Sequence, residues 1–237
     1  SPVTLLGRIT ESWSSLQLGT SFINTIILSL GNLAFTIVIC GFAGYVLSKL
    51  KPRGSRVVFV LVVWTMMMPG QLRMVPNYVT MLHFPFAYDF GAGINLLDTY
   101  FPLWLGSAAS AFNIILFKNA FDGLSKSYVE AAKIDGCSSI RIFVQIIMPL
   151  SKPIVMVMSI FQVMSSWSSF MWPYLMLGST PLEPVAVKLY TASMGAGDLM
   201  ANEVMMTAIL SVLPLMIVFT VFSKRILGGL AIGGVKG

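Results

Sequence analysis

Residues 12–48 read SWSSLQLGTSFINTIILSLGNLAFTIVICGFAGYVLS, and no Asp, Glu, Lys or Arg interrupts them. A helix crosses a hydrocarbon core of roughly 30 Å with about 20 mostly apolar residues. This stretch therefore predicts a membrane span, at 21–47. Four more stretches, 57–72, 99–117, 153–182 and 204–223, lack the same charges. They predict spans at 57–80, 99–121, 153–176 and 204–224. The second carries Pro69, Gly70, Arg73 and Pro76 in its outer half. A kink or an early end is expected there, with Arg73 snorkelling to the far interface. Composition agrees: of 237 residues, 56% are hydrophobic and only 10% charged. A soluble domain carries about a quarter of its residues as charges, and a disordered chain is far less apolar. The fold class is all-α, a polytopic transmembrane helical bundle with five spans.

The loops between the spans are sharply asymmetric. Lys49, Lys51, Arg53 and Arg56 follow the first span, and Lys118, Lys126, Lys133, Arg141 and Lys152 separate the third from the fourth. With Lys224, Arg225 and Lys236 these make twelve basic residues against three acidic ones, a balance of +9. The opposite side holds Arg8, Arg73 and Lys188 against six acids, a balance of −3, which recovers the net +6. The positive-inside rule puts residues 48–56, 118–152 and the C-terminus in the cytoplasm. The excess of positive charge thus marks a membrane side, and nucleic acid is not expected as a partner. Residues 1–20 then face outside without forming a signal peptide, so a further span is expected before Ser1.

Several chemistries are disfavoured. No predicted span holds an ionisable residue near its middle, as proton-coupled carriers usually do. No G-x-x-x-x-G-K-[ST] loop exists to cradle ATP phosphates, so energy from ATP must arrive through a partner. One histidine, His83, read as solvent-exposed, and two separated cysteines, Cys40 and Cys137, form neither a metal cluster nor a disulfide framework. An integral-membrane enzyme, the rival from another class, would need clustered carboxylates or histidines at an interface.

The segment 122–152 is too patterned for a plain connector. Glu130, Ala131 and Ala132 favour a short helix, Gly136 permits a turn with positive φ, and Ser138 or Ser139 can cap a second helix. Ile142, Phe143, Ile146 and Ile147 give that helix an apolar face, and Pro149 and Pro153 bracket the start of the fourth span. On this pattern alone an interfacial helix pair lying on lipid headgroups is an equal reading. However, Glu130-Ala131-Ala132, Gly136 and Ile146-x-Met148-Pro149 match the E-A-A-x3-G-x9-I-x-L-P pattern of ABC importer permeases. Met148 for Leu is the single departure, and it conserves volume.

The chain resembles that family along most of its length. Asn24-Thr25, Met68-Pro69 with Val75-Pro76, Ile134-Asp135-Gly136, Pro149-Leu150-Ser151-Lys152-Pro153, Trp167-x-x-Phe170 and the Gly233-Gly234-Val235-Lys236-Gly237 ending are similar to the maltose-type, second-permease branch of the carbohydrate importers. Ser168 departs from that branch, which usually has Asn there. The resemblance implies one permease domain over 1–237, with 122–152 as a cytoplasmic coupling loop. It implies a multi-pass protein of a bacterial or archaeal cytoplasmic membrane, with no enzyme activity or cofactor of its own. ATP and magnesium would be bound by two partner ATPase subunits, and a second permease would complete the pathway. An extracytoplasmic sugar-binding protein would deliver substrate, and lipid would surround the spans. The alternative the resemblance implies is the same machine carrying glycerol phosphodiesters or polyol phosphates, which similar permeases also move.

Site residues follow from the same resemblance. Glu130, Ala131, Ala132, Asp135 and Gly136 would seat in the ATPase, and Gly234 and Lys236 in the tail would reach it. On residues alone that Gly-rich tail reads as a frayed end. Met194, Gly195, Gly197 and Asp198, in the outer loop 178–203, would dock the binding protein; a plain surface loop is the alternative. Gln71, Asn77, Trp167 and Phe170 are candidates for the translocation path. Gln71 and Asn77 can equally satisfy backbone freed by the kink. Trp64, Trp104, Trp167 and Trp172 read first as an interfacial aromatic belt.

Overall fold

The computed structural model describes Trp13 and residues 17–85, 93–178, 180–194, 205, 208–217 and 219–220. Among these, regular secondary structure is helical, with one isolated bridge between Phe84 and Ile94. The first helix, α1 (Leu18–Leu50), is long and apolar enough to cross a membrane unaided. Its amphipathicity is inside-out. Ser21, Thr25, Ser29, Asn32, Thr36, Cys40 and Gly44 are buried, at intervals of three or four residues. Ile23, Ile26, Leu30 and Val38 are exposed on the opposite side. In lipid no hydrophobic force drives helices together, so small and hydrogen-bonding residues make the contacts instead. The rest of the bundle assembles on that stripe.

Three bends define the remaining helices. α2 (Ser55–Met67) and α3 (Gly70–Leu82) meet at 104°. Met68 precedes Pro69 and is extended, with φ −79° and ψ 122°, as the proline ring requires of its neighbour. The predicted kink is there, sharp enough that residues 57–80 form no straight span. α4 (Phe101–Ala108) and α5 (Ala111–Asp122) meet at 49°. This break corrects the continuous 99–121 span: Ser110 is extended and caps α5 by accepting from the Asn113 N–H. Cys40 Sγ donates to the Ala108 carbonyl at 2.9 Å, so a thiol meets backbone freed by the break.

α6 (Ser127–Ile134) leads to α7 (Ser139–Leu150), which meets α8 (Lys152–Trp167) at 84°. The fourth predicted span, 153–176, is also interrupted: α8 stops at Trp167 and α9 (Met171–Leu177) follows as a separate helix. α10 (Val185–Met194) lies in the predicted outer loop, and α11 (Ala208–Ile217) lies within the predicted fifth span. α1 packs against α4, α5, α8 and α10. One apolar core, at the C-terminal end of α1, joins Cys40, Tyr45, Phe117, Phe121, Ile142, Phe143, Ile147 and Met158. A second, at its N-terminal end, joins Leu28, Met81, Leu103, Met176 and Leu177.

Candidate functional site: coupling loop and interior cavity

The helix pair α6–α7 is built on the first core. Val129 and Ala132 face into it from α6, and Ile142, Phe143 and Ile147 from α7. Phe143 packs edge-on against Phe42 at 5.6 Å and lies 5.4 Å from Tyr45. The turn between the helices is closed by Gly136 N–H to Lys133 O at 3.0 Å and Cys137 N–H to Ala132 O at 2.9 Å. Gly136 has φ +75°, where an L side chain is strained. Ser138 caps α7 through the Arg141 N–H. The structure divides the two alanines of the motif: Ala131 is exposed, whereas Ala132 is only 5% exposed and belongs to the chain's own core. Glu130, Asp135 and Gly136 are exposed beside it, with Ile134 at 86% and Ile140 at 65%. Two large apolar side chains around a carboxylate, at the tip of an anchored helix pair, form a surface suited to a protein partner.

Polar contacts fix where this pair leaves the bundle. Ser48 Oγ donates to Asp122 Oδ1 at 2.7 Å, Lys118 Nζ to Asp122 Oδ2 at 2.6 Å, and Lys49 Nζ to the Leu124 carbonyl at 2.6 Å. Lys118 also sits 4.8 Å from the Phe59 ring centroid. The first two basic loops therefore meet at one end of the bundle.

Asn24 and Thr25 organise the opposite end. Asn24 Nδ2 donates to the carbonyls of Pro181 at 2.8 Å and Glu183 at 3.2 Å, while the Tyr100 hydroxyl donates to Asn24 Oδ1 at 2.8 Å. Thr25 Oγ1 accepts from the Val185 N–H at 3.0 Å. This corrects the outer loop: residues 181–185 are pinned into the bundle, and Val185 and Val187 of α10 are buried. Met194 ends that helix with 71% exposure. Gly195, Gly197 and Asp198 lie outside the described residues, as do Gly234 and Lys236 of the tail.

Between the two ends the polar stripe of α1 opens onto cavities. Asn32 Nδ2 donates to Ser166 Oγ and Ser107 Oγ donates to Asn32 Oδ1, both at 2.7 Å. These residues, with Gln162, Ser165, Ser169 and Trp172, line a cavity of about 160 Å³. Gly106, Ser169 and Trp172 also line a neighbouring cavity of about 420 Å³, whose other walls include Arg73, Asn77 and Phe170. Two of the predicted path residues, Asn77 and Phe170, are therefore together. Gln71 lines an adjacent cavity with Tyr78 and Tyr174. Trp167 is elsewhere, donating to the Ser211 carbonyl at 3.1 Å and packing on Phe22. Trp172 Nε1 donates to the Pro102 carbonyl at 3.4 Å, and Trp104 is half-buried with its indole packed on Gly31. His83 is half-buried, not fully exposed as read from the sequence. Sequence reading missed Asn32, Ser107, Gln162 and Ser166; polar residues at helical spacing along α1 were the available signal.

The family described as "Binding-protein-dependent transport system inner membrane component" matches residues 36–228. The arabinooligosaccharides transport system permease protein AraQ of Bacillus subtilis is 29% identical over 222 residues, covering 91% of this chain and 73% of that protein. Protein LplC of the same organism is 30% identical over 234 residues, covering 93% and 74%. Among solved structures, a bacterial ABC transporter involved in importing the acidic polysaccharide alginate matches with TM-score 0.73 and 28% identity, covering 90% of this chain and 78% of that one.

Proposed function

The chain belongs to the family of binding-protein-dependent transport system inner membrane components, and from that membership we propose that it forms half of the translocation pathway of an ATP-driven saccharide importer. The named sugar permeases among its relatives support the substrate class. A second permease supplies the other half, two ATPase subunits bind and hydrolyse ATP with magnesium, and an extracytoplasmic binding protein delivers the sugar. The α6–α7 pair points into the cytoplasm in this reading, consistent with the charge asymmetry of the loops. Met194 and the residues after it then lie on the side of the binding protein, and the tail containing Gly234 and Lys236 lies on the ATPase side.

One observation carries the coupling role: Glu130, Ala131, Ile134 and Ile140 are exposed at the tip of a helix pair whose other face is buried in the bundle core. A partner moving that tip moves the end of the bundle with it. ATP binding by the partners favours an outward-open packing, and hydrolysis releases it. Glu130→Lys tests the reading, because it sets like charges together at the ATPase interface. The loss is about 2–5 kcal/mol where such a pair is desolvated. The variant should insert normally, fail to co-purify with the ATPase and lose uptake. Full uptake at normal expression would reduce the loop to a connector.

A further inference from the structure

Arg73 has a different neighbourhood from the one its sequence position suggests. The turn after Pro69 brings it to the wall of the cavity of about 420 Å³, with Asn77 one helical turn further on. Ser169 and Phe170, from the segment between α8 and α9, and Trp172 of α9 also line the cavity. Among the described residues no carboxylate pairs with Arg73. The smaller cavity, lined by Asn32, Gln162 and serines, adjoins the first and shares Gly106, Ser169 and Trp172 with it. That inner wall offers amides and hydroxyls and no charge. A Cβ on Gly106 would approach Trp172 Nε1 to 2.9 Å, so the glycine lets the indole lie close to α4.

The chemistry of these walls is graded, with one guanidinium at one end and uncharged donors and acceptors beyond it. A guanidinium presents a planar fork that matches carboxylate or phosphate oxygens. Amides and hydroxyls match sugar hydroxyls, and Phe170 and Trp172 add aromatic surface to the cavity wall. We propose that the cavity walled by Arg73, Asn77, Ser169, Phe170 and Trp172 is a subsite for a saccharide bearing an anionic group, with Arg73 binding the anion. The inference deepens the transport reading and rests on it.

Uptake by cells carrying the complete transporter tests it, using a trigalacturonate, a neutral trisaccharide and a hexose phosphate as probes. Arg73→Gln should lower the ratio of trigalacturonate to neutral uptake by about tenfold or more, the scale of one charge-assisted hydrogen bond. Arg73→Lys should recover part of it, since the charge remains and the fork is lost. Asn77→Asp, which leaves Arg73 intact, should lower the same ratio by adding a negative charge to the cavity. A matching loss for the hexose phosphate alone supports the subsite and assigns the anion as phosphate. Equal effects on charged and neutral sugars in both variants overturn the proposal while leaving the importer reading intact. An Arg73→Gln defect in proteoliposomes that follows the anionic lipid content, and not the charge of the sugar, also overturns it. Failure of the wild type to carry any saccharide removes the transport reading and this subsite together.

Discussion

Asn24 holds three partners that lie far from it in sequence, two carbonyls and a phenol. A leucine of similar size would leave all three without their present contact. Interhelical hydrogen bonds in membranes average only about 0.6 kcal/mol. Orphaned buried groups, however, cost about 1–3 kcal/mol, and the second effect should dominate. We expect Asn24→Leu to lower stability by about 2 kcal/mol and to speed hydrogen exchange over 181–194. Unchanged exchange there would mean that α10 is held by its apolar contacts alone. Gly136 is the opposite case, since a Cβ there meets nothing within 4 Å and only φ objects. Gly136→Val should cost roughly 1–2 kcal/mol, and Gly136→Asn less, because Asn tolerates left-handed backbone. Exchange over 127–150, with ATPase co-purification, checks both. The Asn24-Thr25 pair was recognisable in the sequence, but its distant partners, 76 to 160 residues away, were not.

At the scale of elements, α1 and α5 approach closely at Gly44. A Cβ on Gly44 would stand 2.7 Å from Phe117 Cβ and 2.9 Å from the Lys118 amide nitrogen, whereas one on Gly41 meets only ring edges, Phe143 at 3.4 Å and Phe117 at 3.7 Å. Gly44→Ala must therefore separate two helices, at about 1–3 kcal/mol for overpacking, while Gly41→Ala should be close to neutral. Thermal unfolding in detergent compares the two, and equal shifts would remove the close-approach account. Which breaks could be read in advance depends on their chemistry. Pro69 announces its bend because the ring constrains Met68. The break at 109–110 has no proline and depends on Cys40 and Ser110, so hydropathy passes straight over it. α10 was hidden likewise, in a segment read as a loop because it lies between turn residues. The helix pair α6–α7 was legible in full because its turn, its cap and its apolar spacing are all local.

For the whole molecule, the lysines of the first two basic loops already meet at one end through Asp122 and Leu124. A maleimide that cannot cross the membrane should label Arg53→Cys only from the cytoplasmic side, and Ile94→Cys only from outside, in a chain with Cys40 and Cys137 replaced. Labelling of Ile94→Cys from within would invert the orientation. Hydropathy and charge foretold a helical bundle with one crowded basic end, because both are properties of composition along the chain. They could not divide Ala131 from Ala132, since the division is made by Phe143, Tyr45 and their neighbours. That division has an evolutionary consequence. The side chains at 130, 131, 134 and 135 are exposed, and Val129 and Ala132 keep the pair seated. If the proposed ATPase contact holds, a duplicated copy of this chain could exchange those four residues and take a different motor without repacking its interior.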